Sequence, residues 1–287
     1  MLMTPDRTRS GLFFLCLSLP VCALATPPDW SVESANGMSA QERLDVALEH
    51  SQEGAFQEAK EWLEAAADAG SGEAKIHLGY FYQHGRGVEA DGETAIQWLE
   101  RGVKAGESGF AIRLAWDYLE GDLVAPDRER AEYWFEYAIE YGREDARLGL
   151  GSILLTDVVG GEQERAAEAE EHFQLALDAG LVLGSYYLAR MYREGLGVER
   201  DMDRAVHYLR KGARSGDPQI SGVMQAWLAD AYQLGHGVDG PDPETAAGWA
   251  YRASDNGNPD GDTVLESLEQ ELDDEALDAA RQQARQE

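Results

Sequence analysis

The residues in this chain that invite a chemical reading are glycines. In "YQHGRGVEADGETAIQWLERG", residues 82 to 102, Gly85 and Gly87 stand just ahead of an amphipathic segment. A glycine turn opening onto a helix is how dinucleotide-binding proteins hold a pyrophosphate. The pair returns as Gly195/Gly197 and Gly235/Gly237 and weakens to Gly121/Leu123. Each copy follows a segment of helical period, where a dinucleotide fold requires a strand. The glycines are therefore expected to end one helix and to supply left-handed backbone for a turn into the next.

A second cluster, "NGNPDGDTVLES" from Asn256 to Ser267, sets oxygens at alternate positions around a glycine, as calcium loops do. Ser267 stands where a bidentate glutamate is required, and Glu266 comes one residue early. Asn258-Pro259 instead parallels Asp217-Pro218, a capping residue followed by proline at a helix start. The histidines, His50, His77, His84, His172, His207 and His236, are scattered without the close spacing of a zinc set. There is no G-x-S-x-G, no H-E-x-x-H and no phosphate-binding lysine loop. These residues predict no catalytic group, no cofactor and no metal.

The chain opens with Arg7 and Arg9, then the apolar run "LFFLCLSLPVCALA" closing on Ala23-Leu24-Ala25. This is the pattern of a secretory signal peptide cut after Ala25, and it predicts a periplasmic or secreted protein. The run is too short to span a bilayer as a helix. Cys16 and Cys22, the two cysteines of the chain, both lie inside it, so the exported protein would carry no disulfide and no thiol nucleophile. Against 24 Lys and Arg stand 54 Asp and Glu, a formal net charge of −30. Such a surface repels phosphate backbones and anionic lipid, which argues against nucleic acid or direct membrane insertion. The acidic residues are spread along the chain and describe a solvated surface.

What positions these residues is a repeat. Gly70, Gly106, Gly142, Gly180, Gly216 and Gly257 recur at intervals of 36, 36, 38, 36 and 41 residues. Between them each unit reads as a helix, a turn and a second helix, which makes the chain all-α. In the first helix Leu78/Gly79/Tyr82 correspond to Leu114/Ala115/Tyr118, Leu188/Ala189/Tyr192 and Leu228/Ala229/Tyr232. Leucine and tyrosine four apart form one buried stripe, and the small residue implies a neighbouring helix at close range. Asp91, Asp127, Asp201 and Asp242 suit the start of the second helix. Ala95/Trp98, Ala131/Trp134, Ala205/Tyr208 and Ala246/Trp249 give that helix its core face.

Five units result, 71–106, 107–142, 143–180, 181–216 and 217–257. The third is degenerate: Leu154 replaces the tyrosine, the turn becomes "TDVVGGEQERAAE", and His172 takes the Trp98 position. Residues 39–70 lack the long turn and read as an N-terminal helix pair with tetratricopeptide spacing. Residues 258–287 read as acidic capping helices, and residues 26–38 as an unstructured lead-in.

The pattern A-x-x-x-L-G-x-x-Y-x-x-G-x-G-V-x-x-D-x-x-x-A-x-x-W, met by Ala74 through Trp98, resembles the Sel1-like repeat family, which is related to tetratricopeptide repeats. The resemblance covers about residues 71 to 257. It implies a right-handed α-solenoid, and for many bacterial members an exported scaffold or adaptor that binds other proteins. Members described as β-lactamase-like are cysteine-rich, and that activity is not carried over to a chain that loses both cysteines.

Solenoids bind along the concave face lined by the first helix of each pair. Beside the Leu/Tyr stripe, about 110° around the helix, runs a second one. It comprises His77, Tyr80 and His84, then Arg113, Trp116 and Glu120, then Tyr187, Arg190 and Glu194, then Trp227, Asp230 and Leu234. Tyr, Trp and Arg are enriched where proteins hold partners, although aromatics at helical spacing also serve packing between repeats. The expected function is a monomeric, non-enzymatic scaffold or regulator that binds a protein or peptide of the cell envelope in this groove. Two alternatives stand beside it: an envelope hydrolase using acidic residues on peptide or glycan, and a structural envelope protein holding divalent cations.

Overall fold

The structure, a computed structural model, describes residues 35–285. The signal peptide and most of the lead-in expected from the sequence lie outside the described residues. Within them the chain forms fourteen α-helices and no strand. The first pair is α1 (Ala40–Gln52) with α2 (Phe56–Asp68). Five pairs follow: α3 (Gly72–His84) with α4 (Gly92–Lys104), α5 (Ala111–Glu120) with α6 (Arg128–Glu140), α7 (Ala146–Gly160) with α8 (Ala166–Asp178), α9 (Leu183–Glu194) with α10 (Met202–Gly212), and α11 (Pro218–Leu234) with α12 (Pro243–Asp255). At the end α13 (Pro259–Leu268) and α14 (Asp274–Ala284) cover the last pair through Val264, Leu268 and Ala280. Within the six pairs each helix packs on its mate, and the second helix of each pair packs on the first helix that follows, which is the quasi-one-dimensional stack of an α-solenoid. No described helix is long and apolar enough to cross a membrane.

Residues 35–38, read from the sequence as part of an unstructured lead-in, are packed. Ala35 is buried, its carbonyl accepts a hydrogen bond from Arg43 Nη2 at 3.2 Å, and Met38 rests on the core of α1 and α2.

The turns explain the glycine pairs. Gly85, Gly121, Gly195 and Gly235 close α3, α5, α9 and α11 in the left-handed region, with φ of 65°, 80°, 73° and 71°. The chain then returns so that the N–H of Asp91, Asp127, Asp201 and Asp242 donates to the carbonyl of the stripe tyrosine, at 2.8–2.9 Å. The same aspartates accept from the backbone N–H three residues on, at 3.0–3.2 Å, and so cap the second helix. Each cap contributes about 1 kcal/mol. One residue therefore ends the turn and starts the helix.

The second glycine of the pair answers a steric need. A Cβ at Gly87 would lie 2.6 Å from the Phe56 carbonyl oxygen, and one at Gly237 would lie 2.2 Å from that of Met202. The turn thus presses on the start of the preceding unit's second helix. In the second unit Leu123 fills this position, and the space is made on the other side. Its carbonyl lies over Gly92, where a Cβ would come within 1.9 Å.

The small position of the first helix has the same cause. A Cβ on Gly79 would meet Leu99 at 2.6 Å, and one on Gly151 would meet Phe173 at 2.7 Å. Tyr118 and Tyr192 are buried beneath the guanidinium groups of Arg130 and Arg204, 5.3 and 5.0 Å above their rings. Tyr82 and Tyr232, whose own units carry Thr94 and Thr245 in place of that arginine, are only half-buried.

The third unit departs from the pattern for a local reason. Asp157 occupies the position of the helix-ending glycines, so α7 runs on to Gly160 and stops at Gly161, φ 116°. The buried Asp157 carboxylate pairs with Arg128 and, at 2.7 Å, with Arg165 Nη1. Both arginines also hold Glu132, at 3.2 and 3.1 Å. An ionic lock stands in for a glycine turn.

This packing fixes the expected stability of three variants. In urea titrations Gly79→Val should lose about 1–3 kcal/mol through overpacking. Gly216→Ala, where nothing lies within 4 Å of the added carbon, should stay within about 0.5 kcal/mol of the parent. Asp157→Ala should lose about 2–3 kcal/mol, somewhat less than for a fully buried pair because Arg128 keeps part of its hydration.

Candidate partner-binding surface

The ladder anticipated along the first helices is built as four separate rungs. On α3, His77 is half-buried, 3.9 Å from the Glu73 carboxylate, and burial lowers its pKa. Tyr80 lies edge-on to Phe110 at 6.5 Å and stacks beside the exposed His84 at 6.5 Å. On α5, Arg113 is paired within its helix to Asp117 at 2.9 Å, Trp116 stands edge-on to Phe135 at 5.3 Å, and Glu120 is exposed. On α9, Tyr187 stacks on Phe173 at 4.4 Å and Arg190 pairs with Glu194 at 3.3 Å. Most of these rings fill joints between helices. Their arginines are occupied by acids one helical turn away.

The last rung is different. On α11, Trp227 stacks against Tyr186 of α9 at 5.3 Å, and the Arg193 guanidinium lies 4.0 Å over its ring. One turn on, Asp230 and Leu234 border a recess of about 220 Å³ formed with Arg193, Arg200, Met202, Ala231 and His236. Leu234 is 58% exposed, a large apolar side chain facing solvent beside a tryptophan. Arg193 Nη1 is shielded from solvent and has no hydrogen-bond partner. A desolvated donor of that kind is held ready for an acceptor. Arg200 is steadied by its Nε, which donates to the Arg193 carbonyl at 3.1 Å.

Asp230 opens to solvent on one side, yet the protein crowding its other side pushes its carboxyl above the ordinary value. Arg193 opposes that rise and Asp260 adds to it. The recess therefore combines an apolar wall, two guanidinium groups and one carboxylate whose pKa is raised by burial. It suits an apolar side chain with an acidic group beside it.

A larger recess of about 630 Å³ adjoins it through Arg200 and Met202, lined also by Glu170, Tyr192, Asp201, Asp203 and Arg204. Its charges satisfy one another. The Tyr192 hydroxyl donates to Glu170 and accepts from Arg204 Nη1 at 2.7 Å. Burial, with Glu170 beside it, pushes this phenol up to about 12. Tyr118, Glu100 and Arg130 repeat the arrangement two units earlier, at 2.7 and 2.6 Å. Both triads join one unit to the next.

The acidic loop at Asn256 is spoken for. Asn258 caps α13 by accepting from the Asp260 N–H at 2.9 Å, with Pro259 in the first turn. The Asn256 amide donates to Gln225 Oε1 at 2.8 Å. Gly261 packs against the Ala250 carbonyl, where a Cβ would come within 2.6 Å. The parallel with Asp217-Pro218, which caps α11 in the same way, describes this segment. Among the described residues no three His, Cys, Asp or Glu side chains converge as metal ligands would.

Arg193, Arg200 and His236 were missed in the sequence because they belong to the helix ends and turns, and the ladder followed helix faces alone. One signal was legible. Leu234 stands where the other units carry His84, Glu120 and Glu194.

A family model described as Sel1 repeat matches residues 52–71, 72–107, 110–142, 182–217 and 223–258, more than half of the chain. The stretch it passes over holds the degenerate third unit. Among solved structures, a Sel1 repeat protein from Oxalobacter formigenes is 28% identical and superposes with a TM-score of 0.55, covering 85% of this chain and 99% of that one. A protective antigen present in uropathogenic Escherichia coli strains, displaying an SLR fold, is 20% identical with a TM-score of 0.45, covering 89% of this chain and 62% of the other.

The raised carboxyl of Asp230 yields a signed expectation. The folded state binds this proton more readily than the unfolded chain, so the charge costs stability at neutral pH and the cost fades on acidification. Asp230→Asn should raise the Tm at pH 7, and the gain should shrink as the pH falls toward the ordinary carboxylate value of 3.8. Thermal melts of both proteins across that range check it.

Proposed function

The chain belongs to the Sel1 repeat family, whose repeats mediate protein–protein interaction, and from that premise we propose that it is a non-enzymatic scaffold or regulator of the cell envelope. The signal-peptide pattern of residues 1–25 supports the location. The observation that carries the binding role is the recess at the last rung, where the exposed Leu234 and the half-buried Trp227 stand beside Arg193 and Arg200. Exposed apolar residues next to an aromatic and arginines are where interfaces concentrate their binding energy. The partner segment is expected to seat an apolar side chain against Leu234 and Trp227, and a carboxylate against the two arginines. His77, Tyr80, His84, Arg113, Trp116, Glu120, Tyr187, Arg190 and Glu194 then form the flanks of the same face, with Trp227 and Asp230 at its centre of affinity.

The test is crosslinked affinity capture from envelope extract, comparing the exported chain with Leu234→Asp. Leu234 is exposed, so the variant should keep its helical circular dichroism. One or two envelope proteins retained by the parent and reduced at least about tenfold by the variant would support the reading, since hot-spot truncations commonly cost that much. Retention unchanged by Leu234→Asp would overturn the assignment of the recess.

A further inference from the structure

The second helices of three units share an arrangement from which α6 departs. In α4, α10 and α12 an aromatic is followed three residues later by a cation that folds over its ring. Arg101 covers Trp98 at 4.8 Å, Lys211 covers Tyr208 at 5.5 Å and Arg252 covers Trp249 at 4.8 Å. In α6 that place is taken by Tyr137, and the cation over Trp134 is supplied by Lys104 of the preceding unit, 5.2 Å from the ring centroid. Tyr133 precedes Tyr137 by one turn and Tyr141 follows it by one turn, where the other units carry small or polar residues such as Gln97, His207, Ala105 and Ser215. Tyr133 is 48% exposed and Tyr141 57%. The rings run on continuously, with Tyr137 stacked on Tyr141 at 4.5 Å and tilted to Tyr133 at 6.4 Å.

Acids edge this strip. Glu129, Glu136 and Glu140 are exposed, project along one side of it, and form no ion pair among the described residues. Two exposed tyrosines with the half-buried Tyr137 between them, on one helix face beside unpaired carboxylates, leave aromatic surface open where the neighbouring units carry small or polar residues. From Tyr133 to Tyr141 the helix rises about 12 Å, the length of about four residues of polyproline II chain. Flat aromatic surfaces accept proline rings of that conformation, and arginine both stacks on tyrosine and pairs with glutamate.

We propose that Tyr133, Tyr137 and Tyr141, with Glu136 and Glu140, form a second docking strip on the second-helix face, and that its occupant is a basic, proline-rich extended segment of a partner protein. The strip is separate from the Leu234 recess and stands or falls independently of it. The charge of the chain, −30 overall, suits such a ligand.

The experiment is calorimetric titration of the protein with a synthetic peptide of Pro-Pro-Arg repeats. The same titration is run with Gly-Gly-Arg repeats, which have the charge without the prolines, and with a neutral chitin oligosaccharide. Saturable binding of the proline peptide is expected, weakened at least tenfold by Tyr133→Ser with Tyr141→Ser and retained by Tyr133→Phe with Tyr141→Phe. The glycine peptide should bind at least tenfold more weakly, and Leu234→Asp should leave proline-peptide binding unchanged. Absence of binding, equal binding of the two peptides, insensitivity to the serine variants, or preference for the oligosaccharide would each overturn the proposal.

Discussion

The stack depends on how closely its helices approach one another. At Gly79 and Gly151 no side chain fits, because Leu99 and Phe173 of the second helices already occupy the space a Cβ would take. Ala115, Ala189 and Ala229 hold the same position with one carbon, fully buried. Every described α-helix except the 17-residue α11 runs ten to fifteen residues, a length marginal alone, so each pair draws its stability from these contacts and from the next pair. The glycines that weaken helix propensity are the ones that permit the burial. Propensity yields about 1 kcal/mol there, and close packing more than offsets it.

The joints between units follow the same economy of space. A turn that presses on the preceding second helix needs one side of the contact to be bare backbone, and the units differ in which side that is. Gly87 and Gly237 supply it from the turn, whereas Gly92 supplies it from the helix beneath Leu123. Where the helix-ending glycine is lost altogether, at Asp157, the helix lengthens and two arginines fix the altered turn. The degenerate unit is thus a different solution to the same junction, held by charge where the others are held by backbone shape.

This distinction decides what the sequence discloses. Helix periods, the aspartate caps and the left-handed glycines are local, so their spacing foretold the pairs and their turns. The crowding behind Gly79 was legible too, since a glycine inside a helix asks for a neighbour. The rotation of one helix against the next is set by tertiary packing, and a face read along one helix does not contain it. Trp116 and Tyr187 therefore turned into joints against Phe135 and Phe173, although their spacing put them on the anticipated groove. The recess at Leu234 escaped for a related reason, because it is assembled from the ends of α9 and α11 and the turn between α9 and α10. The tyrosines of α6 stand at four-residue spacing in plain sight, but the second helices were read for their core face alone.

A repeat protein exposes its specialised surfaces as breaks in its own pattern. Positions that do the same packing work in every unit keep the same kind of residue, as the stripe leucines and the aspartate caps do. Leu234 breaks a run of polar residues, and Tyr133 and Tyr141 stand where the other units carry small or polar ones. Each of these three side chains leaves apolar surface in water at a cost of about 25 cal/mol per Å². The half-buried ladder aromatics Tyr80, Trp116 and Tyr187 carry less of that cost, because each packs a joint between helices. The exposed exceptions are accounted for only by something that covers them. On that reasoning the two proposed docking surfaces lie at two units, the second and the fifth, on opposite classes of helix. The intervening pairs fix the distance between the two surfaces.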